Sequence, residues 1–260
     1  MKIRILSKKG SIWKFVLEGV TPAFANTLRR IMITEVPTLA IEWVDFHDNT
    51  SAMFDEIIAH RLGMIPLIFD PKKFNFTAEC ECGGKGCPLC QVVFYLEKTG
   101  PCTVHSGDMK SSNKNVKPLS PDFPIVKLLK GQKIKLEAIA ILGRGKNHAK
   151  WQAANVSYQY LPRLEVGNFK DFKKVVSACP KKILAVRKRK LVLTDPFKCD
   201  ECRVCEEASG GEVRLKSDPT KFIFQVESIS GLEPKHIILE SVKILGEKAN
   251  EFKSELKNIK

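Results

Sequence analysis

No apolar run in this chain approaches the roughly 18 residues needed to cross a bilayer, and the opening Met1-Lys-Ile-Arg-Ile has no signal-peptide core. Neither a membrane span nor a secretory route is expected. Nucleotide-handling signatures are missing too: there is no Walker loop, no dinucleotide glycine fingerprint and no nucleophile elbow. The nearest approach, Leu142-Gly-Arg-Gly-Lys146, is glycine-rich and basic but opens no helical pattern, so it reads as a surface turn. Asp55 and Glu56 are adjacent, face different directions on a helix and make no carboxylate dyad. His60, His105, His148 and His236 lack metal or nucleophile company and read as hydrogen-bonded structural histidines. Negative charge is also short: 29 Asp and Glu against 43 Lys and Arg leave a net +14, which favours an anionic partner. The densest basic run, Arg187-Lys-Arg-Lys190, reads as a solvated face.

Cysteine, in contrast, is plentiful: the 260 residues hold nine, and eight fall into two groups at metal-ligand spacing. That pattern points to a reducing cytoplasm and away from disulfides. Cys199-Asp-Glu-Cys202-Arg-Val-Cys205 has the two-residue spacing that wraps three corners of an iron–sulfur cube. Cys179 precedes Pro180 and supplies the fourth thiolate, as the cysteine before proline does for the opposite cluster of a two-cluster ferredoxin. The partner cluster is missing. Counting back from Cys179 at the same spacing reaches Val175, Phe172 and Phe169, and counting forward from Cys205 reaches Ser209. One 4Fe–4S cluster is expected, with a zinc knot on the same thiolates and plain reduced thiols as the alternatives. Cys80, Cys82, Cys87 and Cys90 form the second group, with three glycines allowing a tight loop. Four thiolates close a tetrahedral shell with no open position, so one structural Zn2+ is expected there; unliganded cysteines or a second iron–sulfur centre are the alternatives. Cys102 is left over and reads as a small buried hydrophobe.

The patterning is that of an α+β chain. Ile3 and Ile5, a turn at Lys8–Ser11, then Trp13, Phe15 and Leu17 predict a β-hairpin. Thr21 caps a helix whose Phe24, Leu28, Ile31 and Met32 share a face and which Pro37 ends. A strand follows over 38–44, then a helix from Asn49 or Ser51 to Leu62, with Gly63 suited to a left-handed C-terminal position. Residues 74–160 read as strands and loops, the best strands being 92–96 and 134–142, with 106–124 as a long polar loop. In 167–220, a helical stretch at 169–178, a strand at 191–193 and a turn at Gly210-Gly211 are expected; 222–229 reads as another strand. The last helix carries Ile238, Val242, Leu245, Ala249, Phe252, Leu256 and Ile259 at alternating spacings of four and three, a narrow heptad seam suited to lying along another helix.

Phe24-Ala-Asn-Thr-Leu-Arg-Arg30-Ile, with Glu35-Val-Pro-Thr38, resembles the N-terminal signature of the alpha-type subunits of multisubunit RNA polymerases. Phe54-Asp-Glu-Ile-Ile-Ala-His-Arg-Leu-Gly-Met-Ile-Pro-Leu67 and Leu142-Gly-Arg-Gly-Lys-Asn-His-Ala-Lys-Trp151 resemble later blocks of the same family, and the ferredoxin-like insertion fits its archaeal branch. The resemblance implies a split dimerisation domain of antiparallel strands and helices (1–49 and 221–260). It also implies an inserted mostly-β domain with the zinc loop (50–166) and an inserted ferredoxin-like 4Fe–4S domain (167–220). The implied partners are a small subunit L as heterodimer mate, subunits N and P, and the two large catalytic subunits. DNA would be reached only indirectly through that complex. The implied chain carries no catalytic residue, since the polymerase magnesium lies in the large subunits. The expected pairing seam is Phe24, Leu28, Ile31, Leu245, Phe252 and Leu256, with Arg29 and Arg30 at its rim, reaching a large subunit, or simply solvated. Two rival readings are a ferredoxin-like electron-transfer protein and a free-standing basic zinc protein that binds nucleic acid.

Overall fold

Main-chain pairing between distant parts of the sequence organises this chain, a computed structural model of which describes residues 1–258. Five helices lie among them: α1 (Pro22–Thr34), α2 (Asp55–Gly63), α3 (Phe172–Ala178), α4 (Val204–Ala208) and α5 (Pro234–Asn258). None of the described helices is long and apolar enough to cross a membrane. Two compact units result: Met1–Thr27 with Ser157–Gln225, and Leu28–Val156 with the chain from Val226 onward. The N-terminal hairpin falls in the same unit as the cysteine-bearing segment.

In the first unit, the strands Lys2–Lys9 and Ile12–Glu18 form the expected hairpin, with a bulge between Ile5 and Ser7. They continue into an antiparallel sheet with Val213–Ser228 and Ala154–Val166. Phe15 stacks on Phe224 at 5.2 Å, and Tyr158 meets Phe222 edge-on at 5.3 Å, so aromatic rings fill one face. Thr21 caps α1 as expected: its hydroxyl accepts from the Phe24 N–H at 3.3 Å. A smaller apolar cluster, Val175, Leu184, Leu191 and Val213, sits under α3, with Phe169 and Phe172 packed against it. Val175, Phe172 and Phe169 are the places where a second cluster's cysteines would stand; here they build a core.

The second unit is organised around the sheet of Thr38–Asn49, Lys133–Gly143 and Gln91–Thr99, the longest antiparallel pairing in it. Alternating residues of Lys133–Gly143 are fully buried, as a strand with one covered face requires. α2 starts at Asp55 and not at Asn49 or Ser51. The Asn49 side chain instead accepts from the Ser51 N–H at 3.1 Å and donates to Asp55 Oδ1 at 2.6 Å, which holds 49–55 as a turn. Gly63 is helical and not left-handed; Met64 is the cap, at φ −89°. Its smallness serves packing instead, since a Cβ there would stand 3.4 Å from the Ile41 carbonyl. The expected loop 106–124 is tied down by Ser106, which is fully buried and donates to the Ser120 carbonyl at 2.7 Å.

Leu142–Lys146 is more than a surface turn. A Cβ on Gly143 would run into the Trp151 ring, and one on Gly145 would meet the Ile33 carbonyl at the end of α1. Gly143→Ala is expected to destabilise the chain by about 1–3 kcal/mol, the usual cost of overpacking. The readout is a lower urea midpoint, and an unchanged midpoint would mean that Trp151 moves aside freely. His148 keeps the structural role expected of it, accepting from the Lys150 N–H at 3.1 Å.

Candidate metal centres and partner-facing surface

The strand Gln91–Thr99 is preceded by a loop in which Gly83, Gly84 and Gly86 all have left-handed φ (64°, 79° and 86°). This backbone turns four thiols inward. The sulfurs of Cys80 and Cys87 lie 3.6 Å apart, those of Cys82 and Cys90 3.6 Å, and those of Cys87 and Cys90 3.8 Å. A tetrahedral ion with Zn–S bonds of about 2.3 Å separates its sulfurs by about 3.8 Å, so the loop has single-ion spacing. The Cys87 N–H also donates to Cys90 Sγ at 3.3 Å, which orients that ligand. Burial opposes ionisation of Cys82, but hydrogen bonds from the Cys80 and Cys90 thiols and the Gly86 N–H outweigh it and bring its pKa to about 6. Burial pushes the Cys90 thiol up to about 12. Thiols this close share protons unevenly, and a cation among them would relieve the competition.

Cys179, Cys199, Cys202 and Cys205 line one cavity in the first unit, whose walls include Ile183, Leu193 and Leu215. Cys179 ends α3 and Cys205 lies in α4. Glu201 and Arg203, either side of Cys202, are left-handed at φ 54° and 61°, a conformation costing about 1–3 kcal/mol for such residues. The Gln159 amide donates to the Cys199 carbonyl at 2.9 Å and steadies the loop. Burial raises the thiols of Cys199 and Cys205. Among the described residues, only the Cys80–Cys90 quartet gathers its sulfurs within 4.8 Å of one another. The sulfurs of the second set are not gathered within that distance. Cys102 is half-buried, not buried, because it opens a short strand; its thiol leans on the Thr99 carbonyl at 3.7 Å.

α5 presents two different stripes. Pro234, Ile237 and Ser241 are buried and form the face held by the chain itself. The heptad seam lies one residue over. Leu245 is half-buried, Val242 is 50% exposed, Phe252 67% and Leu256 51%, and every residue from Gly246 to Asn258 is exposed. Ile259 lies outside the described residues. On α1, Leu28 and Ile31 are buried among the chain's own residues. An apolar stripe on a helix can serve either purpose, and here the chain uses it. Phe24 and Arg29 are half-buried and Arg30 is exposed. Sequence reasoning missed a further surface: Phe54, at the head of α2, with Ile57 on α2 and Met64 just beyond it, all exposed while Ile58 and Leu62 are buried.

The uncovered half of α5 is anchored at Lys248, whose ammonium lies 2.9 Å from one Glu35 oxygen; the Lys146 ammonium is 3.4 Å from the other. Burial works against the Glu35 carboxylate, but the two cations outweigh it and hold its pKa below the ordinary glutamate range. A depressed carboxylate pKa gives stability that is present above the unfolded value and lost as pH falls through the folded one. Both lysines are about half exposed, so solvent screening limits the effect. Glu35→Gln is expected to cost about 0.5–1 kcal/mol at pH 7 and less near pH 3. Urea unfolding at the two pH values checks this, and an equal gap at both would remove the carboxylate from the anchor.

Residues 44–162 match the family described as the RNA polymerase Rpb3/RpoA insert domain. Along nearly its whole length, the chain is 40% identical to DNA-directed RNA polymerase subunit Rpo3 of Methanosarcina acetivorans, over 257 residues and 97% of each chain. The chain belongs to the archaeal Rpo3 family of RNA polymerase subunits. The Rpo3 of Pyrococcus horikoshii is similarly 40% identical over 265 residues, covering 100% of this chain and 99% of the relative. That of Thermoplasma volcanium is 40% identical over 248 residues, 89% of this chain and 90% of the relative. The Rpo3 family is the archaeal alpha-type group that the three sequence blocks resemble. Its insert-domain match contains the Cys80–Cys90 loop and stops before Cys179.

Proposed function

We propose that the chain is a non-catalytic assembly subunit of archaeal DNA-directed RNA polymerase. It pairs through the outer face of α5 with the small subunit L, subunits N and P join the pair, and the pair is the platform for the two large catalytic subunits. Bond-making belongs to those large subunits and no residue of this chain takes part in it. The observation that carries the reading is the bare apolar row Val242, Phe252 and Leu256 on the uncovered half of α5. That half runs about 20 Å at 1.5 Å per residue. A helix so short is marginal in water without tertiary cover, so a partner helix is what would hold it. Phe24 and Leu245 flank the pairing, Arg29 and Arg30 border it, and Phe54, Ile57 and Met64 offer a second apolar surface to a large subunit.

The expected domain plan goes with this function: 1–49 and 221–260 for dimerisation, 50–166 as the zinc-bearing insertion and 167–220 as the ferredoxin-like insertion. Cys80, Cys82, Cys87 and Cys90 hold one structural Zn2+, a reading supported by their sulfur spacing. Cys179, Cys199, Cys202 and Cys205 hold one 4Fe–4S cluster, a reading supported by their spacing in sequence and the cavity they share. Bound there, the cluster supplies four metal–thiolate ties to a segment whose own core is small. The protein works in the cytoplasm, where thiols stay reduced. Coexpression with an archaeal subunit L, followed by size exclusion, tests the assembly role. A stable one-to-one pair is expected, and a chain that elutes alone contradicts it.

A further inference from the structure

The strands Leu184–Arg187 and Lys190–Leu193 form a two-stranded sheet of their own, with Arg187 and Lys190 as the closing pair. The two residues between them, Lys188 and Arg189, are both left-handed, at φ 49° and 60°. This is the geometry of a tight two-residue hairpin turn, where Asn-Gly sits without strain and long side chains do not. All four basic residues are exposed, and no ion pair among the described residues includes any of them. Other cations in the same unit do pair, Lys181 with Asp200 at 3.4 Å and Lys198 with Asp195 at 3.3 Å. A solvated face gives no reason to keep cations in a strained turn. An anionic partner does.

We propose that this hairpin tip is a binding site for the phosphate backbone of nucleic acid. The inference rests on the polymerase reading above, which puts a polyanion within reach of the chain, and it replaces the expectation that DNA is met only through other subunits. The competing occupant is an acidic protein surface. A protein interface has an apolar core beside its charges, whereas the hairpin exposes only Val186 among its apolar side chains. Four adjacent cations on a tight turn match the charge of a phosphate backbone, a contact that carries no sequence information. Each cation that neutralises a phosphate steepens the salt dependence of binding by about 0.9 in the log–log slope.

The test is fluorescence anisotropy of the full chain, paired with subunit L, on a duplex DNA probe across a potassium chloride series. Replacing all four cations (R187Q, K188Q, R189Q, K190Q) is expected to lower the slope by about 3.6. The pair Lys188→Asn and Arg189→Gly suits the turn better, so it should melt no lower than the parent while the slope falls by about 2. Exchanging the two cations (K188R, R189K) should leave the slope alone. An unchanged slope in the fourfold variant overturns the proposal. So does loss of a copurifying polymerase subunit with the DNA slope intact, which would assign the tip to an acidic protein. Pairing with subunit L is expected in all variants; its failure in the parent chain would count against the assembly role, not against the hairpin.

Discussion

Phe252→Asp is expected to abolish pairing with subunit L while leaving the chain folded. In the single chain Phe252 is two-thirds exposed, so its replacement removes nothing from the core. In the proposed pair, the same position lies at the centre of a helix–helix seam. A carboxylate buried there without a partner costs several kcal/mol, so affinity should fall by about a thousandfold or more. Leu256→Asp should act in the same direction. The control is Leu28→Asp, at a position only 4% exposed, which should unfold the second unit instead of merely separating the partners. Size exclusion for pairing and circular dichroism for folding distinguish the two effects. A heterodimer retained by the Phe252 variant would remove the outer face of α5 from the interface.

Cys90→Ser is expected to have the second largest effect. Cys90 is fully buried, and its sulfur stands within 4 Å of those of Cys82 and Cys87. A structural zinc site contributes its binding free energy to folding, on the order of 10 kcal/mol for isolated zinc peptides. The loop has little apolar material of its own between Cys80 and Cys90, so a zinc held there would be its main source of order. The variant should carry well under one zinc per chain, and the loop should be cut by protease at sites the parent protects. Because the ligands must be deprotonated, acid should release the zinc from the parent as well. Metal analysis alongside limited proteolysis measures both. Full zinc occupancy in the variant, or a loop that stays protected without metal, would show that the three glycines and local hydrogen bonds suffice.

What could be read from the sequence was local chemistry. The Cys80–Cys90 group was legible because its spacing is set within a few residues, and the three left-handed glycines of that loop were legible for the same reason. The cap at Thr21, the N-terminal hairpin and the heptad row of α5 were likewise short-range signals. The direction each apolar face turns was less accessible. On α5 the covered stripe of Ile237 and Ser241 and the bare stripe of Val242 and Phe252 are one residue apart, and periodicity alone does not say which one the chain keeps. The same ambiguity holds on α1, where Leu28 and Ile31 are buried within the chain. Long-range contacts were not visible at all. The Glu35 anchor joins residues more than a hundred apart, and the sheet that joins the N-terminal hairpin to Val213–Ser228 spans most of the chain. Gly63 shows how a residue can be right for a local rule and serve a distant neighbour instead. The basic run at Arg187–Lys190 looked like ordinary surface until its turn geometry was known.

The most direct measurement is amide hydrogen exchange along α5 in the full chain, with and without bound subunit L. With the partner absent, amides from Gly246 to Asn258 should exchange within the fastest class, while those around Ile237 and Ser241 stay protected. On pairing, protection should spread through Phe252 and Leu256. Tight pairing that leaves exchange over Gly246–Asn258 unchanged would contradict the assignment of α5 as the surface on which the polymerase subunit is joined.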